Sequence, residues 1–437
     1  MCYAIPGKVK EIHERAVIVD YFGETKRAIN EFYDLRVGDY ICAQGGYVIK
    51  KVPPEEAQDI LASWNELFFE LRDVDVRLSA FSAPTDIDQK LKRILDKALE
   101  GRTLERDEAR YLFTLKDPGE RALLFKAANF LRQKHHKNSC CVHGIIEISN
   151  HCRRACTYCG IASTNIRLAR YRMEPERIIQ TAVDAVTRYG FQALILQSGE
   201  GAGYGIEELT RVIRVIREKA PVLIGISFGE IGFEGLEKLY HAGARALLLR
   251  FETSNPSLYE KLHPGMSLRS RIEHLKEAYR LGYMLMTGSL VGLPGATVDD
   301  LLNDIYLAKA LGAEMYSFGP FLPHPATPLA ADMPPATEDV LTALSVTRLI
   351  DSENAKILVT TAFETLDAGS RTKGLNSGAN SLMLTATPLE YRQHYAIYPN
   401  KAYSQIPLAT QIEETVALLK SLGRAPTDVG TIPTNDR

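Results

Sequence analysis

From Gly144 onward the chain alternates short apolar segments with amphipathic helical segments, and this alternation repeats eight times. The apolar segments have the length of buried strands, and the segments between them have the helical period of 3.6 residues. Eight such units predict an α/β fold, a TIM-type (β/α)8 barrel with a parallel sheet. The predicted strands are Gly144–Ser149, Ala193–Gln197, Val222–Ser227, Ala246–Phe251, Met284–Leu290, Met315–Phe318, Ile357–Thr361 and Ser381–Leu384.

Three cysteines, Cys152, Cys156 and Cys159, directly follow the first predicted strand. Side chains alternate between the two faces of a strand, so a strand would separate Cys159 from the other two thiols, and we predict a loop instead. Three thiolates with an open fourth position suit an iron-sulfur cluster with one iron free to take another ligand. A zinc site is the alternative, but it would need a fourth protein ligand that no nearby residue obviously provides. A loop after the first strand lies at the C-terminal rim, where barrel active sites are found.

The length and composition limit the other function classes. A chain of 437 residues is long enough for one barrel and one or two small modules. Its formal net charge of −2 does not favour nucleic acid as a partner. No apolar run approaches the roughly 20 residues of a membrane span, and residues 1–6 lack the layout of a signal peptide. We therefore expect a cytoplasmic protein without a membrane partner.

The cysteine count also points to metal chemistry. Seven cysteines, an odd number with three clustered, argue against a disulfide framework. Cys140 and Cys141 lie just before the first predicted barrel strand, and adjacent thiols rarely ligate one metal together. We interpret this pair as structural.

The region before the barrel divides into two parts. Residues 1–52 contain short β-type runs separated by turn signals, which are typical of a small barrel, and Pro53-Pro54 then begins a helix. Residues 78–140 have helical periodicity throughout. The predicted domains are a small β-barrel with a C-terminal helix at 1–77, a helical linker at 78–140, and the large barrel at 141–437.

The N-terminal segment resembles the HypC/HupF hydrogenase maturation chaperones. The resemblance rests on Met1-Cys2-Tyr-Ala-Ile-Pro-Gly-Lys-Val9, on the strand that begins Gly38-Asp-Tyr, and on the Glu-Glu-Ala helix. It implies an OB-like barrel in which Cys2 holds an iron that carries cyanide and carbonyl ligands. A histidine of the family assists that iron, and Gln44 occupies the corresponding position here.

The cysteine spacing after a first barrel strand resembles the radical S-adenosylmethionine superfamily. The resemblance implies a 4Fe-4S cluster on the three cysteines and S-adenosylmethionine chelated to the fourth iron. Glu200, in Gln197-Ser-Gly-Glu, would meet the ammonium group of this cofactor. Glu252 would accept from its ribose or ammonium group, and Arg271 would bind its carboxylate. An exposed Glu252–Arg271 salt bridge is the alternative.

Further segments are similar to the HydE family of radical maturases over roughly residues 80–425. They include Glu252-Thr-Ser-Asn-Pro, Gly288-Ser-Leu-Val-Gly-Leu-Pro and Gly319-Pro-Phe-Leu-Pro-His-Pro. This resemblance implies substrate contacts from Ser198, Arg250, Met315, Thr361, Met383, Tyr395 and Tyr398, and cofactor contacts from Tyr158, Gln197, Gly199 and Leu290. Gly225 and Ala246 occupy positions where the family resemblance leads us to expect polar cavity residues. The substrate could therefore differ from that of the family, and the sequence does not identify it.

The resulting hypothesis is an enzyme that generates a 5′-deoxyadenosyl radical to assist assembly of an organometallic iron cofactor. Its substrate would be a small molecule or an organometallic iron compound, and its partners would be other maturation proteins and an electron donor. In a second hypothesis the enzyme acts on a small amino acid or a thiazolidine, and the N-terminal domain only docks a partner. In a third, the chain is an assembly scaffold without turnover.

Overall fold

The N-terminal part of the chain forms a small closed barrel followed by a long helix. A computed structural model describes residues 5–82, 84, 87–201 and 203–427, so Cys2 lies outside the described residues. The elements are β1 (Gly7–His13), β2 (Ala16–Tyr21), β3 (Glu24–Ile29), β4 (Tyr40–Gln44), β5 (Tyr47–Val52) and α1 (Pro54–Ser79). The strand order around the barrel is β1-β2-β3-β5-β4, and β4 pairs back with β1. The predicted small barrel with its helix is confirmed.

Three helices connect the small barrel to the large one: α2 (Gln89–Leu99), α3 (Arg106–Thr114) and α4 (Pro118–His136). The side chain of Asp88 accepts a hydrogen bond from the Leu91 amide, and the side chain of Asp117 accepts one from the Glu120 amide. These caps satisfy amides that have no partner within the first helical turn, which explains where α2 and α4 begin.

The sequence from Ser139 onward forms a parallel sheet that curves into a barrel. Its main strands follow the order β14-β12-β10-β9-β8-β7-β6-β15, and a bridge between Leu358 and Ser381 joins the two ends. The strands are β6 (Ser139–Ser149), β7 (Ala193–Ser198), β8 (Leu223–Ser227), β9 (Ala244–Leu248), β10 (Met284–Thr287), β11 (Leu290–Val291), β12 (Ala313–Tyr316), β13 (Gly319–Pro320), β14 (Lys356–Ile357), β15 (Ser381–Thr385) and β16 (Ala425–Pro426). The predicted (β/α)8 barrel is confirmed.

The remaining helices follow the strands. They are α5 (Pro175–Thr187), α6 (Ile206–Lys219), α7 (Phe233–Ala242), α8 (Pro256–Leu262), α9 (Leu268–Leu281), α10 (Val298–Ala310), α11 (Thr337–Ile350), α12 (Thr361–Leu366), α13 (Ser370–Leu375), α14 (Leu389–Arg392) and α15 (Leu408–Ser421). One large hydrophobic cluster joins the sheet to these helices and includes Cys140, Val142 and Leu194. The chain's main core therefore lies outside the barrel strands and beneath the helices.

The strands predicted at Ala246–Phe251, Met284–Leu290 and Met315–Phe318 are found at Ala244–Leu248, Met284–Thr287 and Ala313–Tyr316. Two further boundaries differ for reasons that the structure shows. The predicted strand Ile357–Thr361 ends at Ile357, because the Thr360 side chain accepts from the Phe363 amide and begins α12. The first barrel strand begins at Ser139, five residues earlier than predicted. Its early residues pair with segments from the C-terminal end of the chain: Cys140 lies opposite Pro426, and Cys141 lies opposite Ser381.

The small barrel packs against the foot of the large barrel, by which we mean the N-terminal ends of its strands. One hydrophobic cluster contains Tyr47 and Ile49 of the small barrel together with Leu223 and Met284 of the large one. Arg245 donates to Glu31 across this contact at 2.7 and 2.9 Å. A shared apolar cluster of this kind is typical of a domain core rather than of a transient contact.

Within the described ranges, no helix is both long and apolar enough to cross a membrane.

Candidate active site

A cavity of about 320 Å³ opens at the rim of the large barrel, by which we mean the C-terminal ends of its strands. Its wall includes the three clustered cysteines and the acidic and basic residues at the ends of β7 and β9. Of the predicted site residues within the described ranges, the cavity is lined by Cys152, Cys156, Tyr158, Cys159, Gln197, Ser198, Gly199, Glu200, Arg250, Glu252, Arg271, Leu290, Thr361, Met383, Tyr395 and Tyr398. Met315 does not line it and lies in a smaller cavity at the foot.

The cysteine loop is held in place by backbone hydrogen bonds to three distant segments. The amides of Arg153, Thr157 and Gly160 donate to the carbonyls of Glu200, Leu262 and Ile397, each at 2.9 Å. Arg170 donates to the carbonyls of Ile161 and Ala162 at 2.8 and 2.6 Å. These bonds supply partners for a segment without regular structure, as buried backbone requires. Sequence reasoning missed Arg170, because nothing in its local pattern separates it from a surface arginine.

Two glycines leave room for the loop to approach the barrel. A Cβ on Gly160 would lie 2.1 Å from the carbonyl oxygen of Ala396. A Cβ on Gly199 would lie 2.2 Å from the carbonyl oxygen of His151 and 2.7 Å from the Cβ of Cys152. A side chain at Gly199 would therefore displace the first cysteine from the cavity wall.

The thiols have the properties expected of ligands that need a cation. Burial raises the pKa of Cys156, and the neighbouring Cys159 and Cys152 raise it further. Burial also raises the pKa of Cys159, to about 12. Clustered thiolates repel one another in a dry site, whereas a bound iron cluster supplies the positive charge that allows deprotonation. Three converging sulfur donors therefore fit a 4Fe-4S cluster with one iron open.

Two arginine–carboxylate pairs lie beside the cysteines. Arg250 donates to both oxygens of Glu252, at 2.7 and 3.2 Å. Arg271 donates from Nε to Glu230 at 2.8 Å and from Nη1 to the carbonyl of Arg250 at 2.8 Å. The expected alternative, an exposed bridge between Glu252 and Arg271, is wrong, because Arg271 is buried and pairs with Glu230 instead.

Glu230, the partner of the cavity residue Arg271, is an acid that sequence reasoning missed. Burial alone would raise its pKa, but the charge of Arg271 and the hydrogen bond from it lower the pKa below the usual value. Glu230 follows β8, and a carboxylate just after a barrel strand was the signal that could have identified it.

Glu252 adopts an unusual backbone conformation. Its φ is +65°, in the left-handed region that disfavours residues with a Cβ. The Leu290 amide donates to the Glu252 carbonyl at 2.9 Å, which joins this residue to the strand segment after β10. Strained backbone of this kind concentrates at functional sites, where the surrounding structure holds it in place.

Glu200 bridges the cysteine loop and the second strand. Its Oε1 accepts from Arg153 at 3.0 Å and from Arg154 Nε at 2.6 Å, and Oε2 lies 3.9 Å from Arg271. Arg153 and Arg154 belong to the cysteine motif itself, and sequence reasoning did not assign them a role.

Tyr158 is half-buried between the cysteine loop and His263. The Tyr158 hydroxyl lies 3.2 Å from His263 Nε2, and His263 Nδ1 lies 3.0 Å from the Tyr259 carbonyl. A carbonyl can only accept, so Nδ1 carries the proton and Nε2 accepts from the tyrosine. Burial lowers the pKa of His263 to about 4. A neutral imidazole therefore fixes the Tyr158 ring beside the cysteine loop.

The deeper part of the cavity combines aromatic and polar side chains. Tyr395 and Tyr398 are both buried there. Lys401 contacts Glu147 in a buried ion pair, and its Nζ lies 5.0 Å from the centre of the Tyr395 ring. Thr387 donates to the other oxygen of Glu147 at 2.9 Å. Sequence reasoning missed this pair, since its members lie 254 residues apart.

Comparison with known proteins agrees with this geometry. The sequence matches the radical SAM superfamily over residues 146–307 and the HupF/HypC family over residues 1–64. It is 38% identical over 335 residues to the FeFe hydrogenase maturase subunit HydE of Thermotoga maritima, covering 77% of this chain and 95% of that protein.

Two more distant relatives share the barrel. The 3-methylornithine synthase of Methanosarcina acetivorans is 27% identical over 294 residues, covering 67% of this chain and 82% of its own. The X-ray structure of the maturase HydG from Carboxydothermus hydrogenoformans superposes with a TM-score of 0.65 at 19% identity, covering 84% of both chains. The likeness to HydG concerns the fold.

The superfamily match implies a 4Fe-4S cluster and S-adenosylmethionine, and the donor set of the cavity fits both. With 38% identity across nearly the whole length of a HydE protein, the chain belongs to the HydE family of radical SAM enzymes and carries a HupF/HypC-family domain at its N-terminus.

Proposed function

We propose that this enzyme assists assembly of the organometallic iron cofactor of a hydrogenase. The observation that carries the proposal is that three cysteines, the Arg250–Glu252 pair and Arg271 all line one cavity at the barrel rim. Cys152, Cys156 and Cys159 would hold the cluster. When bound, the cluster and S-adenosylmethionine together supply a 5′-deoxyadenosyl radical by reductive cleavage of the sulfonium.

The residues around the cysteines would bind S-adenosylmethionine. Arg271 is buried, and its Nη2 lies beyond hydrogen-bond distance from Glu200, so it can receive a carboxylate from the methionine part. Glu252 would accept a hydrogen bond from the ribose or the ammonium group. Glu200 would add negative charge near the ammonium group. The wall around these groups would be completed by Tyr158, Gln197, Gly199 and Leu290.

The deeper residues would hold the substrate and exclude water. Arg250 offers a cation at the boundary between the two parts of the cavity, and Lys401 offers a second one. Each is already paired with a carboxylate, Glu252 or Glu147, so the two offer hydrogen-bond donors rather than net positive charge to a polar substrate such as an iron complex with cyanide or cysteinate ligands. The remaining contacts would come from Ser198, Thr361, Met383, Tyr395 and Tyr398. Met315 would act from the foot, below this cavity.

The N-terminal domain would carry an iron fragment with cyanide and carbonyl ligands on Cys2. The match to the HupF/HypC family over residues 1–64 supports this part. Covalent linkage would keep the fragment at a high effective concentration near the large barrel. Other maturation proteins would supply the fragment or accept the product, and a reductase would supply electrons.

Anaerobic turnover tests the enzymatic part of the proposal. Reconstituted protein is incubated with dithionite and S-adenosylmethionine, with and without an iron–cyanide–carbonyl complex of cysteine. The expected products are 5′-deoxyadenosine or an adenosyl adduct, formed faster with the iron complex and absent in Cys156→Ala. Cys140→Ala, whose thiol lies in the core outside the cavity, is the matched control. Turnover of an amino acid or thiazolidine alone would favour the second hypothesis, and intact S-adenosylmethionine would favour a scaffold.

Infrared spectroscopy tests iron carriage. Protein isolated from its host should show cyanide and carbonyl stretching bands that disappear in Cys2→Ala. Bands that persist in this variant would contradict carriage on Cys2.

A further inference from the structure

A second, separate cavity lies at the foot of the large barrel, where the small barrel covers it. Its volume is about 20 Å³, which is enough for one water molecule or one bare ion. The side chains that matter for its chemistry are Gln44 from the small barrel and Cys141, His143, Met284, Met286 and Met315 from the large one. Neither the clustered cysteines nor the arginine–carboxylate pairs of the rim cavity line it.

The strand geometry explains why two potential ligands meet there. Cys141 and His143 are two residues apart on β6, so their side chains lie on the same face of the strand. Both line the cavity and are nearly inaccessible to solvent, with exposures of 2% and 3%. Cys140 and Val142 belong instead to the cluster between the sheet and the outer helices. The adjacent cysteines therefore face opposite sides of the sheet.

The small barrel contributes an acceptor that lacks a donor. Gln44 is 2% exposed, and its Oε1 has no hydrogen-bond partner among the described residues. A buried polar atom without a hydrogen-bond partner destabilises the folded state, so such an atom at a cavity calls for an explanation. A cation in the cavity would provide the missing interaction.

We propose that this foot cavity binds one soft or borderline metal ion, Cu⁺ or Fe²⁺. A thiolate, an imidazole nitrogen and thioethers are soft or borderline donors that favour such ions over Mg²⁺ or Ca²⁺. Cys141 and His143 are the principal ligands, Gln44 Oε1 is a weak third, and a methionine sulfur completes the set. On binding, the Cys141 thiol loses its proton to solvent as the metal–sulfur bond forms.

The cavity also contacts a partly exposed ion pair. Glu314 and Lys356 also line it, and they form an ion pair at 2.6 Å with the glutamate side chain 48% exposed. An iron that already carries diatomic ligands is too large for about 20 Å³, so the proposed ligand is the bare ion.

Metal binding can be measured on the full-length chain with the other candidate ligands removed. The background carries Cys2→Ala, Cys152→Ala, Cys156→Ala and Cys159→Ala, which makes the result independent of the radical chemistry. This protein is incubated anaerobically with Cu⁺ or with Fe²⁺ and desalted, and the retained metal is quantified. The expected result is one equivalent per chain, with an ultraviolet thiolate-to-metal band for Cu⁺.

Three further substitutions in that background locate the ion. Cys141→Ser and His143→Gln should each weaken binding by about a hundredfold or more. Cys140→Ser changes a thiol on the opposite side of the sheet and should leave binding unchanged. Thermal unfolding with and without metal provides a second measurement, because bound metal raises the melting temperature only where the site is intact. Absence of retained metal in the background, or equal retention in all three variants, would overturn the proposal.

Discussion

Asp75 in α1 accepts two hydrogen bonds from Arg132 in α4, both at 2.8 Å, and neither side chain is more than 1% exposed. Arg424, just before β16, lies 2.9 Å from the same carboxylate as an ion pair. One acid on the helix after the small barrel thus pairs with two buried guanidinium groups, one from the connecting helix α4 and one from the C-terminal part of the large barrel.

Replacing Asp75 should destabilise the whole chain. Asp75→Ala leaves Arg132 and Arg424 buried without their counter-charge, which typically costs about 3–5 kcal/mol. We expect this loss in the free energy of unfolding, measured by urea denaturation. Asp73→Ala is the control, because the Asp73 side chain is 77% exposed, and it should change stability by less than about 0.5 kcal/mol. Similar values for the two variants would contradict the prediction.

Because of the buried carboxyl group of Asp304 in α10, the free energy of unfolding should decrease as the pH rises from about 4 to 6. Burial raises its pKa to about 6, although hydrogen bonds from Ser254 oppose the shift. The folded state then holds a proton that the unfolded state releases near pH 4. The free energy of unfolding, relative to Asp304→Asn, should therefore fall by about 3 kcal/mol over this interval and stay level above it. Urea denaturation of both proteins at four pH values between 4 and 7 would check this, and a difference independent of pH would be incompatible with it.

The left-handed conformation of Glu252 predicts an unusual order of variant stabilities. Glu252→Gly and Glu252→Ala both remove the partner of Arg250, but only glycine adopts a φ of +65° without strain. Chemical denaturation should find Glu252→Gly more stable than Glu252→Ala by about 1 kcal/mol, even though glycine usually destabilises. The reverse order would mean that this backbone conformation is relaxed.

Two neighbouring glycines in the β4–β5 turn test how tightly the small barrel enters the foot. Both Gly45 and Gly46 have positive φ, so either alanine substitution costs about 1 kcal/mol of backbone strain. A Cβ on Gly45 would also lie 2.7 Å from Met284 and 2.9 Å from Leu223, whereas one on Gly46 meets nothing within 4 Å. Gly45→Ala should therefore cost a further 1–3 kcal/mol or so in urea denaturation. Equal losses would argue against insertion of the turn.

Local sequence patterns were sufficient to predict most of the fold. Eight apolar runs and their helices predicted the barrel. Each strand–helix unit buries its apolar faces, and this burial makes hydrophobic residues recur in the sequence with the period of a strand or a helix. The boundaries near residues 140 and 360 were missed because they depend on pairing with distant strands and on the hydroxyl of Thr360.

The candidate site was predictable where a motif or a strand end marks it. The cysteine loop and the residues after β7 and β9 are of this kind. The partners of these residues were not predictable, because an ion pair such as Lys401–Glu147 depends on which distant segments the fold brings together. For the same reason, nothing in the sequence placed Gln44 beside Cys141.

The turn of the small barrel at the foot has a kinetic consequence. Within the described residues the cavity at the foot measures only about 20 Å³ and the rim cavity about 320 Å³, so the rim is the opening through which an organic ligand would enter. A molecule bound in the depth of the cavity then has to enter before one that binds beside the cysteines, and it can leave only after that second molecule has gone. Because both molecules use the same opening, they bind in a fixed order. The outer ligand then prevents the inner one from dissociating until the reaction is finished.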